Sequence, residues 1–306
     1  MEYIKGIENY IDGMGTAVMV GKFDGIHRGH NLLTKKLVGY AKKHGLCSVA
    51  VTFDISPRIK INGDAGKNII TSAERVMLLE REGVDTLLEL EFTDELMSME
   101  PEAFIKLLCD RLNMSHIICG TDFTYGYMGR GDTKLLKTLS AEYGFSVDVV
   151  EKIKSDSRDI SSSYVREELV KGHIEEANSL LGYNYFVYGE VVHGNHIGTG
   201  MEMPTINIIP TSDKLLPPNG VYVSRVVLPE ASLFGVTNLG LKPTIDEDVK
   251  KLSLETHILD YSGDLYGENV MIEFLKYLRP ERKFADLFEL SGQIKKDILE
   301  ARRFSQ

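Results

Sequence analysis

Hydrophobic and polar positions follow two alternating patterns from Ala17 to about Gly182. Short apolar runs rich in β-branched residues predict strands, and longer stretches with helical spacing of apolar residues separate them. The predicted strands are "AVMVG", "LCSVAVTF", "VDTLLELEF", "HIICG" and "FSVDVVE". The predicted helices are "HNLLTKKLVGYAKKHG", "SAERVMLLEREG", "PEAFIKLLCDRLNM" and "TKLLKTLSAEYG", and Thr71 with Glu74 forms a possible capping box. This alternation predicts an α/β domain in which helices flank a parallel sheet.

After Gly182 the pattern changes to closely spaced strand-like runs with turn residues between them. The predicted strands are "YFVYGEVVH", "PTINIIP", "GVYVSRVVLP", "FGVTNLG", "LETHILDY" and "NVMIEFLKYL". Only the last segment, "FADLFELSGQIKKDILEAR", has the length and spacing of a helix. Such a series predicts a small antiparallel barrel or sandwich. We therefore expect two domains, 1–182 and 183–306.

Composition agrees with two ordinary globular domains. The chain has 306 residues, of which 43% are hydrophobic and 26% are charged. Its apolar runs are far shorter than the roughly 18 residues of a membrane span. The first residues, "MEYIKGIENYIDGMG", lack the basic stretch and apolar core of a secretory signal. We expect a cytoplasmic protein that does not bind a membrane.

The cysteines and the net charge limit the kinds of site that the chain can form. Cys47, Cys109 and Cys119 are widely spaced within apolar runs, which favours reduced thiols over a disulfide framework or a metal cluster. The net charge of -10 argues against a general nucleic-acid surface. Backbone N–H groups and a few basic residues can still hold a small anion.

The stretch "GKFDGIHRGH" carries the first candidate chemistry. Gly21 and Gly25 allow the backbone to approach a phosphate group closely. His27 and His30 are three residues apart, so both can face one side of a helix near its N-terminus. This arrangement suits attack on the α-phosphorus of a nucleotide with pyrophosphate leaving. The alternatives are two surface histidines or, with less support because no third ligand stands at a suitable spacing, a zinc site.

Four motifs in order give the first half a family resemblance. "GKFDGIHRGH" resembles the G-x-F-D-G-x-H-x-G-H signature of the adenylyltransferase half of bacterial bifunctional riboflavin kinase/FAD synthetases. "TFDISPR", "GTDFTYGYMGRGD" and "ISSSYVR" resemble the family's T-F-x-P-x-P, G-x-D/N-F-x-F-G and I-S-S-T-x-I-R segments. Ile55 and Ser163 depart from the usual proline and threonine.

The resemblance implies a Rossmann-like nucleotidyltransferase domain and a set of site residues. His27 and His30 would be catalytic. The implied ATP-binding residues are Gly21, Phe23, Asp24, Gly25, Ser161, Ser162 and Arg166. The implied flavin-binding residues are Phe53, Pro57, Asp122, Phe123 and Tyr125. Taken alone, the serines and Arg166 could be a helix cap with a solvated arginine, and the aromatic residues could be core packing.

The second half resembles the riboflavin kinase module of the same family. "YGEVVHGNHIGTGMEMPTINI", "PPNGVYVS", "FGVTNLGLKPT", "LETHILDYSGDLYGE" and "LRPERKF" carry the resemblance. It implies a six-stranded antiparallel barrel with a terminal helix. The implied residues are Gly198, Pro204, Thr205 and Asn207 for ATP, with Thr205 and Asn207 also holding Mg²⁺, and Glu255 as the catalytic base for the riboflavin 5′-hydroxyl. Alone, Thr205 and Asn207 could be turn residues at a strand start, and Glu255 could face solvent.

One segment departs from the kinase pattern. The family usually has G-R-x-x-G-[FM]-P-T-x-N, where this chain has "GTGMEMPTIN" with Thr199 and Glu202. The change removes an arginine that can bind phosphate and adds a carboxylate that repels it. We therefore expect a slower kinase or a raised ATP requirement.

The expected function is flavin cofactor biosynthesis in two ATP-dependent steps. Riboflavin becomes FMN in the second half, and FMN becomes FAD with release of pyrophosphate in the first half. The alternatives are an FAD synthetase whose barrel only binds flavin and, with less support, a flavin-sensing regulator. We expect Mg²⁺ as cofactor, ATP as substrate and no tightly bound prosthetic group. Small molecules are the expected partners, with no nucleic acid, and the oligomeric state is left open.

Overall fold

A computed structural model gives the architecture of the chain. It describes residues 1–11, 13–54, 66–193, 204–243 and 250–304. The chain divides into two compact units, Met1–Ser162 and Ser163–Gln306.

The first unit is built on a six-stranded sheet with the strand order β1-β4-β3-β2-β5-β6. Its strands are β1 (Glu2–Lys5), β2 (Thr16–Val20), β3 (Cys47–Phe53), β4 (Thr86–Leu90), β5 (Met114–Gly120) and β6 (Ser146–Val150). Every neighbouring pair is parallel. The predicted α/β domain with a parallel sheet is confirmed.

Helices connect these strands, as parallel pairing requires. They are α1 (Arg28–His44), α2 (Ser72–Arg81), α3 (Asp94–Ser98), α4 (Pro101–Leu112) and α5 (Thr133–Tyr143). A short hairpin of β7 (Lys154–Ser155) and β8 (Arg158–Asp159) follows the sheet. The predicted capping box of α2 is confirmed, because the Thr71 side chain accepts from the Glu74 backbone N–H and the Glu74 side chain accepts from that of Thr71.

The strand order places the turn that contains the histidine motif at the middle of the sheet, because this turn follows β2, which lies between β3 and β5. The chain winds from β2 to β3 and β4 on one side, then crosses to β5 and β6 on the other. A parallel sheet forms a crevice at such a reversal, outside the carboxyl ends of its strands. The turn after Val20 and the turn after Gly120 both open at this edge.

The second unit begins with two helices and continues as a sheet of six antiparallel strands. The helices are α6 (Ser162–Lys171) and α7 (Ile174–Leu181). The strands are β9 (Phe186–Glu190), β10 (Thr205–Ile208), β11 (Gly220–Val227), β12 (Ser232–Pro243), β13 (Lys250–Ile258) and β14 (Asn269–Arg279), and α8 (Leu287–Phe304) ends the chain.

The antiparallel sheet closes on itself. Its strand order is β10-β13-β12-β11-β14-β9, so β10 and β9 are the two edges. Val192, just after β9, forms a bridge with Asn207 in β10, and its N–H donates to the Asn207 carbonyl at 2.8 Å. Closure removes the exposed strand edges that an open sheet would have. The predicted six-stranded antiparallel barrel with a terminal helix is confirmed.

Two features of the fold were not anticipated. The edge strand β1 pairs with β4, although "EYIK" lacks the alternation of apolar and polar residues that predicts a strand. The helices α6 and α7 lie in the second compact unit, and α7 packs on β14. The boundary near residue 182 stays a prediction of the sequence.

Two further expectations concern the state of the cysteines and the presence of a membrane-spanning helix. Cys47, Cys109 and Cys119 are free thiols, with Cys119 buried and the other two half-buried. Among the helices described by the structure, none is both long enough and apolar enough to cross a membrane.

Candidate active sites

Two histidines meet at the N-terminus of α1. His27 is the N-cap residue and His30 lies in the first turn, and their rings stack with centroids 4.0 Å apart at an angle of 24°. A Cβ on Gly29 would come within 3.1 Å of the His27 ring, so glycine at this position leaves room for the stack. The Nδ1 atoms of both histidines are buried, and neither has a hydrogen-bond partner among the residues that the structure describes. Buried polar atoms without a partner are uncommon in folded proteins, so this pair at the helix N-terminus is a candidate ligand site.

Burial controls the charge of this pair. Loss of solvation lowers the pKa of His27 to about 2, and the neighbouring His30 lowers it further in the same direction. The carboxylates of Asp24 and Asp122 oppose this shift without overcoming it. Burial likewise lowers the pKa of His30 to about 4. Both imidazoles are therefore neutral near pH 7 in the ligand-free protein.

The turn before α1 is held by its aspartate. The buried Asp24 accepts from the Ile69 N–H at 2.8 Å through Oδ1, and its Oδ2 lies 3.6 Å from Lys22 Nζ. Gly25 has φ of +88°, a conformation that other residues adopt only with strain. Phe23 packs edge-on against His30, with ring centroids 5.6 Å apart. The "GKFDG" turn thus contacts the histidine pair through Phe23, and Asp24 holds the turn in place.

The serine motif reaches the same turn. Ser162 Oγ donates to the Asp24 carbonyl at 2.6 Å, which joins two segments far apart in the sequence. Ser161 is half-buried beside it. Arg166 lies on α6, which belongs to the second compact unit.

Asp122 follows β5 at the carboxyl edge of the sheet, and its side chain is largely exposed. Lys152, which follows β6, donates to Asp122 Oδ2 at 2.9 Å and lies 3.8 Å from Asp159 Oδ2. The hydrogen bond to Asp122 raises the pKa of Lys152, so the lysine remains cationic. A cation that the motifs did not indicate therefore lies next to a predicted flavin contact.

The predicted flavin-binding aromatic residues differ in how accessible they are. Phe123 stacks on Tyr125 with centroids 5.3 Å apart, but Tyr125 is buried in the hydrophobic core. Phe53 and Phe123 are half-buried at the margin of that core. Phe53 and Phe123 thus retain surface for a ligand, whereas Tyr125 mainly supports Phe123. Pro57 lies outside the described residues.

The second unit brings its predicted residues together through strand register. Asn207 in β10 pairs with Glu255 in β13, and Thr205 pairs with His257. Because side chains two residues apart lie on one face of a strand, all four share a face. Thr205 Oγ1 donates to Glu255 Oε1 at 3.1 Å. Pro204 precedes this group directly, and Gly198 lies outside the described residues, as do Thr199 and Glu202.

This face forms one wall of a cavity of about 250 Å³. Thr205, Glu255, His257 and Asn238 line it from the barrel, and Leu290 and Ile294 line it from α8. Arg279 and Arg282 also line the cavity. An apolar wall beside a polar one suits an aromatic ligand that carries hydroxyl or phosphate groups.

Several residues at the two candidate sites were not predicted from the sequence. Arg279 and Arg282 fall within the quoted "LRPERKF", and His257 stands two positions after Glu255 in "LETH", a spacing that puts both on one strand face. Gly29 lies within the histidine motif itself. No sequence motif indicated a role for Lys152 or Asn238.

Family models match both halves of the chain. A model described as FAD synthetase matches residues 11–164, and one described as riboflavin kinase matches residues 181–305. A curated protein of Bacillus subtilis (strain 168), named bifunctional riboflavin kinase/FMN adenylyltransferase, is 35% identical over 293 residues, which are 94% of this chain and 92% of the relative. A protein of the same name from Escherichia coli (strain K12) is 34% identical over 309 residues, 99% of this chain and 98% of the relative.

A solved structure is also similar over nearly the whole length. It is titled "Crystal Structure of Macrolide-efflux Protein from Streptococcus pneumoniae", with a TM-score of 0.87 and 30% identity. The alignment covers 99% of each chain. The name in that title differs from the names of the curated relatives.

Proposed function

Because this chain belongs to the bifunctional riboflavin kinase/FMN adenylyltransferase family, we propose that each half contains its own phosphate-transfer site, with the residues assigned below. The second half phosphorylates riboflavin with ATP to give FMN and ADP. The first half transfers the adenylyl group of a second ATP to FMN, which gives FAD and pyrophosphate.

The adenylyl transfer is assigned to the crevice beside β2 and β5. A phosphate oxygen of FMN attacks the α-phosphorus of ATP, a bond to phosphorus forms, and the bond to the pyrophosphate oxygen breaks. His27 and His30 donate hydrogen bonds to the phosphate oxygens on which negative charge develops. The single observation that supports this role best is the close stack of the two rings, whose buried Nδ1 atoms have no partner within the described part of the chain.

Surrounding residues would position the substrates of this step. Gly21, Phe23, Asp24 and Gly25 shape the turn that faces ATP, while Ser161, Ser162 and Arg166 would bind its outer phosphates. Ser162 has a second role, because its hydrogen bond to the Asp24 carbonyl fixes the turn. Phe53, Pro57, Asp122 and Phe123 would contact the flavin, with Tyr125 supporting Phe123 from the core.

The kinase step is assigned to the cavity between the barrel and α8. The riboflavin 5′-hydroxyl attacks the γ-phosphorus of ATP, ADP leaves, and Glu255 accepts the hydroxyl proton. The hydrogen bond from Thr205 orients the Glu255 carboxylate before substrate binds. Pro204 and Gly198 would contact ATP beside this pair.

The donor atoms of the kinase site fit Mg²⁺. Thr205 and Asn207 offer a hydroxyl and an amide oxygen on one strand face, next to the Glu255 carboxylate. Such oxygen donors suit a small hard cation that keeps several water molecules. Thr205 and Asn207 would hold the ion, which supplies charge neutralisation to the phosphates when it is bound.

The alternative of an FAD synthetase with an inactive barrel rests on Thr199 and Glu202. The family match covers the whole second half, and the structure keeps Thr205, Asn207 and Glu255 on one face. These findings support an active kinase. We propose a cytoplasmic location, because widely spaced cysteines within apolar runs are typical of reduced thiols in that compartment.

Chromatography of flavins tests the proposal. The protein is incubated with ATP and Mg²⁺ and with either riboflavin or FMN, and the products are separated. The proposal predicts FMN and FAD from riboflavin, and FAD from FMN. FAD from FMN without any FMN from riboflavin would leave only the FAD synthetase alternative.

A further inference from the structure

His257 lines the proposed kinase cavity, although the sequence motifs assign it no role. It lies two residues after Glu255 in β13 and pairs directly with Thr205 in β10. Its side chain lines the same cavity as both of these residues. The imidazole of His257 is therefore close to Thr205, which is proposed to bind ATP, and to Glu255, which is proposed to accept the proton.

A hydrogen bond fixes the imidazole of His257. Its Nδ1 lies 3.0 Å from the carbonyl oxygen of Pro204. A carbonyl can only accept, so Nδ1 must carry the hydrogen atom in this contact. The bond runs from one strand to the other and ends on the residue immediately before Thr205.

The two contacts form a continuous path across the strand pair. His257 holds the Pro204 carbonyl, which belongs to the peptide group that leads into Thr205, and Thr205 Oγ1 in turn donates to Glu255 Oε1. The peptide before Thr205 lies at the start of β10, where the ladder of backbone hydrogen bonds begins. A side-chain bond at this point adds a contact between the two strands at the first residue pair of the ladder.

We propose that His257 is a positioning residue of the kinase, which holds the Pro204 carbonyl so that Thr205 stays in register with Glu255 for binding of ATP. The inference rests on the proposed kinase function. Loss of the His257 hydrogen bond should weaken ATP binding in the kinase reaction, because it displaces Thr205. The adenylyl transfer in the first unit should not change.

Three variants of the full-length protein test this role. His257→Phe keeps a planar ring of similar size and removes the donor. His257→Asn places an amide N–H near the position of Nδ1 and can restore the bond to the Pro204 carbonyl. His173→Phe is the matched control, because His173 is an exposed histidine of the same unit whose Nδ1 bonds to Glu168.

Steady-state kinetics with riboflavin and ATP give the main readout. For His257→Phe we expect kcat/KM for ATP to fall about tenfold, the size of effect that follows from loss of one hydrogen bond. We expect the KM for riboflavin to stay within twofold, and FAD formation from FMN to match the wild type. His257→Asn should recover most of the loss, and His173→Phe should behave as the wild type.

Specific outcomes overturn the role. It is wrong if His257→Phe keeps the wild-type kcat/KM for ATP, or if His257→Asn is as impaired as His257→Phe. It is also wrong if the KM values for riboflavin and ATP rise together, since that would indicate general damage to the barrel. Absence of FMN formation by the wild type would instead refute the kinase function itself, and the role of His257 with it.

Discussion

His27 and His30 are stacked face to face at the start of α1, with ring centroids 4.0 Å apart. Two imidazoles this close cannot both carry a proton without strong repulsion, and burial already disfavours either charge. Loss of solvation is the main cause of both low pKa values, and the contact with His30 lowers the pKa of His27 further. In the ligand-free protein both histidines are therefore neutral near pH 7.

The first prediction concerns the pH dependence of stability. In the unfolded chain His27 has the ordinary pKa of 6.5, whereas in the folded chain the value is about 2. Its contribution to stability is therefore fully present above pH 6.5, and it is lost as the pH falls toward the folded value, because only the unfolded chain binds the proton.

The variant His27→Gln removes this linkage. Between pH 7.5 and pH 5, we expect the free energy of unfolding of the wild type to fall by about 2 kcal/mol more than that of the variant. Urea denaturation followed by circular dichroism at both pH values measures the difference. Parallel pH profiles for the two proteins would show that His27 is not held neutral.

The second prediction concerns the bond between the serine motif and the turn. Ser162→Ala removes the hydrogen bond to the Asp24 carbonyl, so the turn before the histidines loses a fixed partner. We expect kcat/KM for FAD formation to fall about tenfold, with FMN formation unchanged. Ser163→Ala is the control, because Ser163 is exposed. Equal effects of the two substitutions would exclude a specific role for Ser162.

The third prediction concerns the attachment of α8 to the barrel. The buried carboxylate of Asp297 accepts from Arg279 Nη2 at 2.7 Å and from Gln293 at 2.9 Å. Asp297→Ala leaves a mostly buried guanidinium without its partner, which should cost about 3 kcal/mol of stability.

An exposed pair provides the comparison. Asp260 and Arg302 form two hydrogen bonds of 2.7 and 2.8 Å at the surface. Water screens exposed pairs, so Asp260→Ala should leave the urea midpoint nearly unchanged. Similar losses for both variants would contradict a special contribution of the buried pair.

The fourth prediction follows from the sequence departure before Pro204. Glu202→Gly removes a carboxylate from a loop that the family resemblance puts against the phosphates of ATP. We expect the KM for ATP in the kinase reaction to fall roughly fivefold, as relief of one repulsive charge at moderate screening implies. The adenylyl transfer serves as internal control. Equal ATP affinity and turnover in variant and parent would refute the prediction.

The sequence predicted those features that depend on local patterns. The capping box of Thr71 and Glu74 spans three residues, and the alternate positions of Thr205 and Asn207 fix a common strand face. The order of strands and helices also follows from periodicity within short windows. The fold class and the central residues of each candidate site could therefore be predicted from the sequence.

Other features depend on contacts between distant segments. The strand β1 is short and mostly polar at its ends, and it becomes a strand only by pairing with β4. The contact of Lys152 with Asp122 arises because β5 and β6 are neighbours in the sheet. The bond between His257 and Pro204 likewise depends on the register of β10 with β13. No local pattern specifies such partners.

The central claim is that the two halves carry independent catalytic sites, and a pair of single variants tests it most directly. His30→Ala removes a phosphate donor from the first half, and Glu255→Gln removes the proton acceptor from the second. Each protein is incubated with ATP, Mg²⁺ and either riboflavin or FMN, and the flavin products are quantified by chromatography.

We predict opposite losses. His30→Ala should form FMN from riboflavin at the wild-type rate and lose FAD formation by about a hundredfold or more. Glu255→Gln should form FAD from FMN normally and lose FMN formation by about a hundredfold. A mixture of the two variants should convert riboflavin to FAD. If either substitution abolished both reactions, or neither, the assignment of one site to each half would be wrong.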